Sequence, residues 1–396
     1  MHFLRLKYAL LLALPVLISC QRSEPATVKQ GAATPAVDAA PVIPGDTVPA
    51  DRVVDDTARF LSGLPGKSGS GFSDLEASAA WQEHRKLMDA AWANADTKLV
   101  HGLHEFQKSE LSDSSIDHHV LFYPFSGPDA LTATVLFPHS PIFFLVALEP
   151  AGTVPSSKLL EKKELAKYLA EVRTTMASEL GKSFFVTREM DRQFRGQITD
   201  GLVVPTLFLL ARTEHTVLGL KYVRLDEEGK VVERKKDVPV EGTHPNKGFE
   251  LEFRTDADQS VHRLYYFSLN LDDKHLAGNK GFLTYVNAIP TPTTMLKATS
   301  YMTHQEGFTM IRDLVMKDSG VIFQDDTGIP FKYFTPETWN VQLYGEYTRP
   351  YQPFGYMEQA DLRKAFLKGG VKPLTLRLGY GFGKVTSNLL LAKRIK

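Results

Sequence analysis

Hydrophobic and polar positions divide the chain into three regimes. Residues 8–18 are almost uninterruptedly apolar. Residues 21–51 carry Ala, Val and Thr interrupted by Pro25, Pro35, Pro41, Pro44 and Pro49. Beyond about residue 59 the apolar positions return in periodic order.

Within that last regime the periods predict individual elements. Trp81, Leu87, Met88 and Trp92 recur near helical intervals, so 73–108 reads as one or two helices. Leu165, Leu169, Val172, Met176 and Leu180 step by four, three, four and four before Gly181, which predicts a helix over 157–180 capped by that glycine. Residues 202–213 read as a buried helix opened near Pro205. Short apolar runs at 120–125, 131–137 and 142–148, separated by Gly, Pro and Asp, predict three strands. Strand character then dominates. Residues 217–225 and 231–232 flank an Asp-Glu-Glu-Gly turn, and Phe249, Leu251 and Phe253 alternate with charged neighbours ahead of a hairpin partner at 261–271. Helices are expected over 295–303, 308–316 and 361–367, strands over 321–323 and 374–378, and 387–392 fits either. The resulting fold class is α+β or α/β. It comprises a single large globular domain over 59–396, with a central mostly β sheet and flanking helices, or two subdomains meeting near 240.

The first two regimes concern location. His2, Arg5 and Lys7 precede the apolar stretch, and Ser19 and Cys20 close it. That stretch is shorter than the ~20 residues a membrane-spanning helix needs, and it suits a secretory signal at 1–19. Leu17-Ile18-Ser19-Cys20 resembles the lipobox of bacterial lipoproteins. The resemblance implies cleavage before Cys20, a diacylglycerol on its thiol and an acyl chain such as palmitate on the new amine. Gln21, where an Asp would favour inner-membrane retention, implies the outer membrane. Cys20 is the only cysteine, so the chain forms no internal disulfide and no thiolate metal site. Residues 20–58 then read as a tether. Repeated prolines oppose both helix and sheet, and a coil of this length averages on the order of 30 Å end to end.

Composition narrows the partners. Lys and Arg total 46, as do Asp and Glu, and the signs are mixed along the chain, which argues against a nucleic-acid partner. The membrane, reached through the lipid on Cys20, and a glycan or envelope protein are the partners expected. No cofactor is implied, and no metal.

Candidate chemistry gathers at strand ends. Tyr123-Pro124-Phe125-Ser126-Gly127-Pro128-Asp129 brings a hydroxyl and a carboxylate to the end of an apolar run. Ser126 lacks the G-x-S-x-G frame of a nucleophile elbow, and the same residues are those of a tight turn. Asp325 and Asp326, after the strand at 321–323, are adjacent carboxylates suited to acid–base work or equally to a turn. Glu149, after the run at 142–148, pairs with Asp129 in a conjectured two-carboxylate site of the kind glycoside hydrolysis uses. His101, His104 and Glu105 with Asp117, His118 and His119 match no zinc-protease spacing and fit a helix surface better. Gly379 to Lys384 fails the phosphate-loop spacing. Aromatic residues crowd 333–356, including Phe334, Trp339, Tyr344, Tyr347, Tyr351 and Phe354; exposed they would stack on sugar rings, buried they would pack a flank of the core.

The phrases at 126–129 and 324–328 are similar to those of bacterial envelope proteins that carry no assigned activity. The expected function is a membrane-tethered extracytoplasmic binding or envelope-interaction module. The alternative is an extracytoplasmic hydrolase, on glycans for example, that uses Asp129, Glu149, Asp325, Asp326 or Ser126.

Overall fold

The computed structural model describes residues 51–155, 160, 164–183, 200–234, 246–350, 352, 354–382, 384 and 386–395. The residues read as a signal, Cys20 and nearly all of those read as a tether lie outside them. The described residues belong to one compact unit within Val37–Lys396.

The centre is a ten-stranded mixed sheet with the order β4-β3-β5-β6-β2-β1-β7-β8-β10-β9. Its strands are β1 Leu121–Pro124, β2 Ile142–Ala147, β3 His215–Leu225, β4 Val231–Glu233, β5 Lys247–Thr255, β6 Val261–Ser268, β7 Thr293–Leu296, β8 Val321–Gln324, β9 Trp339–Gly345 and β10 Asn388–Arg394. The five middle strands, β6-β2-β1-β7-β8, run parallel, and the strands beyond them on both sides are antiparallel. Every residue of β1, β7 and β8 is buried, as expected for parallel strands covered on both faces. The fold is α+β, a single domain. Strand β3, before residue 240, and strand β5, after it, are paired neighbours in this one sheet.

Side-chain alternation sends two cores to opposite faces. Leu121, Tyr123, Phe143 and Leu145 join a cluster with Phe60 of α1 (Arg52–Leu61), Trp81 of α2 (Ala79–Ala95), Leu131 of α3 (Ala130–Leu136), Leu169 of α4 (Leu165–Lys182) and Phe208 of α5 (Val203–Arg212). Phe122, Phe144 and Val146 meet Phe282 of α6 (Lys280–Asn287), Ile311 of α7 (Thr309–Asp318) and Leu362 of α8 (Ala360–Leu367). Burial of one such large apolar side chain contributes ~1.5–3 kcal/mol.

Five expectations are corrected. Residues 52–58, read as tether, belong to the packed helix α1, which Asp51 caps and whose Phe60 and Leu61 are fully buried. Residues 131–137 form α3, not a strand. All seven helix residues are buried, which erases the polar face a period would reveal, and the cap is a carboxylate two residues after Gly127. Residues 295–303 are not a helix but the end of β7 and a sharp turn. Residues 374–378 form no strand, whereas the aromatic 339–345 do. Of the ambiguous 387–392, residues 388–392 fall in β10, and Gly181 lies inside the last turn of α4 rather than beyond it.

Candidate site at the carboxyl ends of the parallel strands

The connection from β1 runs through α3 to β2, over one face of the sheet. That from β7 runs through α7 to β8, over the other face and in the opposite direction. Neighbouring parallel strands whose connections diverge open a crevice at their carboxyl ends, where ligands of such sheets bind. Every residue singled out from the sequence as a candidate catalytic group lies at that end. Ser126 and Asp129 follow β1, Glu149 follows β2, and Asp325 and Asp326 follow β8.

Asp129 is held in place before it can act on anything else. One oxygen caps α3 by accepting from the Thr132 backbone N–H at 3.0 Å, and the other accepts from the Tyr123 hydroxyl at 2.9 Å. Lys297, directly after β7, places Nζ 2.5 Å from that second oxygen. Its Nζ also donates to Thr132 Oγ1 at 3.1 Å and to the Ser183 carbonyl at 2.8 Å. Lys297 and Asp129 are 4% and 1% exposed, so the pair is withdrawn from water and its attraction is little screened.

The next residue carries the network across to β8. Ala298 N–H donates to Asp325 Oδ2 at 2.9 Å, while Thr327 donates to Oδ1 through its backbone at 3.0 Å and its hydroxyl at 2.5 Å. Burial, then the neighbouring Asp326 charge, push the Asp325 carboxyl up to about 7 against these three donors. Asp326 is raised too, chiefly by burial; the Tyr301 hydroxyl donates to one of its oxygens and Asn388 Nδ2 to the other at 3.3 Å. A cavity of about 10 Å³, with room for one water, touches Asp325, Asp326, Gln359 and Asn388.

Two devices hold this arrangement. Ala298, Ser300 and Tyr301 have φ of 52°, 55° and 55°, left-handed non-glycine residues costing ~1–3 kcal/mol each, of the kind that clusters at binding and catalytic sites. The turn Gly379–Gly381 closes over them: a Cβ on Gly379 would stand 2.7 Å from Asp325 Oδ2 and 3.3 Å from Lys297 Cγ, so only glycine permits the approach. Tyr380 then meets Ser300, hydroxyl to hydroxyl, at 2.9 Å. Rings continue outward from there, with His304 to Tyr301 at 5.1 Å, Tyr301 to Phe354 at 5.4 Å and Phe354 to Tyr380 at 6.1 Å. Burial lowers His304 to about 4, leaving it neutral. Its Nε2 and the Tyr347 hydroxyl reach no hydrogen-bond partner among the described residues; the Gly328 and Gln359 backbones affect their titration without meeting hydrogen-bond geometry.

Thus Asp129, Asp325 and Asp326 are brought into one connected set through Lys297 and Ala298. Glu149 is buried one strand away, where Tyr266 donates to its backbone carbonyl at 2.5 Å and its charge adds to the burial that raises that phenol. The Ser126 hydroxyl donates to the Gly127 carbonyl at 2.9 Å rather than to a base, in keeping with a turn. Among the described residues no group of three or more His, Asp or Glu is arranged to hold a metal. Phe334, Trp339 and Tyr344 are buried, as packing residues of β9 and its approach, while Tyr351 lies outside the described residues. Sequence patterning gives no sign of Lys297, Tyr301 or Tyr380. The first two sit where periodicity predicts a helix, and the third in a glycine run that resembles nothing more specific than a failed phosphate loop. No family model, no curated protein and no solved structure matches this chain.

Proposed function

We propose that this chain is a lipid-anchored protein of the bacterial envelope, and that its domain is a binding module whose ligand site lies over the carboxyl ends of β1, β7 and β8. The lipobox at residues 17–20 supports the anchor, and no described helix is long and apolar enough to cross a membrane. The observation that carries the binding site is a coincidence at the strand-order switch. The buried Asp129–Lys297 pair, the left-handed turn at 298–301 and the ring row that ends in half-buried Phe354 and Tyr380 all meet there. Strain and buried charge together are costly, and a site that binds is the setting in which folds retain them.

Mass spectrometry of the mature N-terminus tests the anchor, since an unmodified Cys20 or cleavage elsewhere removes it. Hydrogen exchange with a solubilised envelope extract of the native host tests the site. Protection is expected at 297–304 and 325–329, and an extract that protects neither segment sinks the binding reading. One observation favours hydrolysis as a second reading: Asp325, at about 7, is poised to exchange a proton near neutrality. Release of product from the same extract by the wild type, and not by Asp325→Asn, is its expected signature.

A further inference from the structure

We infer that the ligand of this site is a carbohydrate, bound through neutral hexose- or hexosamine-type rings. The inference rests on the binding reading above and specifies its chemistry. The accessible part of the site is aromatic and hydroxylic: Phe354 and Tyr380 are half-buried, stacked at 24° between planes, and Tyr380 shares a hydrogen bond with the half-buried Ser300. Tyr356, two positions beyond Phe354, is 75% exposed. Exposed rings of this kind offer flat apolar faces with polar rims, which match the C–H face and hydroxyl edge of a pyranose.

Beneath the rings lie acceptors in excess. Asp325 and Asp326 supply four carboxylate oxygens, and each oxygen can accept more than one hydrogen bond. His304 Nε2 and the Tyr347 hydroxyl reach no partner among the described residues. Sugar hydroxyls both donate and accept, so they can meet Ser300 and Tyr380 directly at the rim and reach the buried acceptors through the one water the cavity beside Asp325 and Asp326 has room for. Leaving such groups unsatisfied is costly, and a bound polyol relieves that cost. The negative charge of Asp326, which already raises the Asp325 carboxyl, also selects against uronic acids and phosphorylated sugars, because like charge is repelled at a poorly solvated site.

The test divides the envelope extract. Its carbohydrate fraction, freed of protein by protease and of nucleic acid by nuclease, is separated into neutral and anionic pools, and each is added to the full-length protein in hydrogen-exchange experiments. The neutral pool is expected to protect 298–304 and 379–382. Tyr380→Ala is expected to weaken that protection at least tenfold in ligand concentration while its thermal melt stays within the wild-type range. Phe354→Ala serves as the second variant if Tyr380→Ala melts early. Protection by the protein or lipid fraction alone, by the anionic pool alone, or equally in wild type and variants overturns the carbohydrate assignment while leaving a binding site in place. An unfractionated extract that protects nothing overturns both.

Discussion

Lys297 and Asp129 illustrate how much a single contact carries here. Each is nearly inaccessible, so removing one leaves the other charged in a medium that solvates it poorly. Lys297→Met is therefore expected to destabilise the fold by ~3–5 kcal/mol in urea titration, and the double variant with Asp129→Asn to recover part of that loss. Equal stability of wild type and Lys297→Met would show that the pair is not closed in solution. Protonation supplies a second prediction at this scale. Burial holds His84 and His215 at about 4, below the ordinary 6.5, so the unfolded chain takes up their protons first and their contribution to stability is lost as pH falls from 6.5 through 4. Asp325 has the opposite sign. Its folded value of about 7 lies above the ordinary 3.8, so the native state takes up its proton first and gains stability as pH falls through that interval. Each net proton changes stability by ~1.4 kcal/mol per pH unit. Comparing urea midpoints at pH 7 and pH 5, His84→Gln should flatten the acid loss and Asp325→Asn should steepen it; parallel shifts in all three proteins would refute both assignments.

At the scale of elements, caps and turns decide boundaries that hydrophobicity leaves vague. Asp51 accepts from the backbone N–H groups of Val53 and Val54, and it starts a helix directly after the proline-rich stretch. Asp51→Ala should cost about 1 kcal/mol, read as a lower urea midpoint with an unchanged slope. Helix α3 and strand β7 each carry the local pattern of the other type of element. The β-branched residues Thr132, Thr134 and Val135 suggest a strand, yet Asp129 caps this segment as a helix and every side chain is buried. Met295 fits a helical period with Thr299 and Met302, yet Thr293 and Thr294 pair in register with β1 and β8, and the left-handed turn at 298–301 forbids a helix. In both cases tertiary pairing overrode local preference. By contrast β5 and α4, each with one more polar face, are legible because their periodicity survives burial.

For the whole molecule, the proposed anchor and the fold occupy separate stretches of chain. Deleting residues 1–50 should leave the urea transition intact, whereas deleting through residue 61 should abolish cooperative unfolding. The second deletion removes Phe60 and Leu61 from the core, the Phe60 carbonyl from Trp81 Nε1, and the Asp55 carboxylate from the Val217 backbone N–H. Cys20→Ala should keep the fold and release the protein from the membrane fraction; retention there would remove the lipid anchor from the proposal. The mixed fold class, the most periodic elements and the position of the candidate carboxylates at strand ends were all legible in the sequence. Each of these depends on neighbours within a few residues. That β1 and β7 lie side by side with diverging connections is a property of the assembled sheet. This adjacency seats Lys297 against Asp129, two residues so far apart in the chain that no local pattern links them, and it converts scattered turn residues into one site.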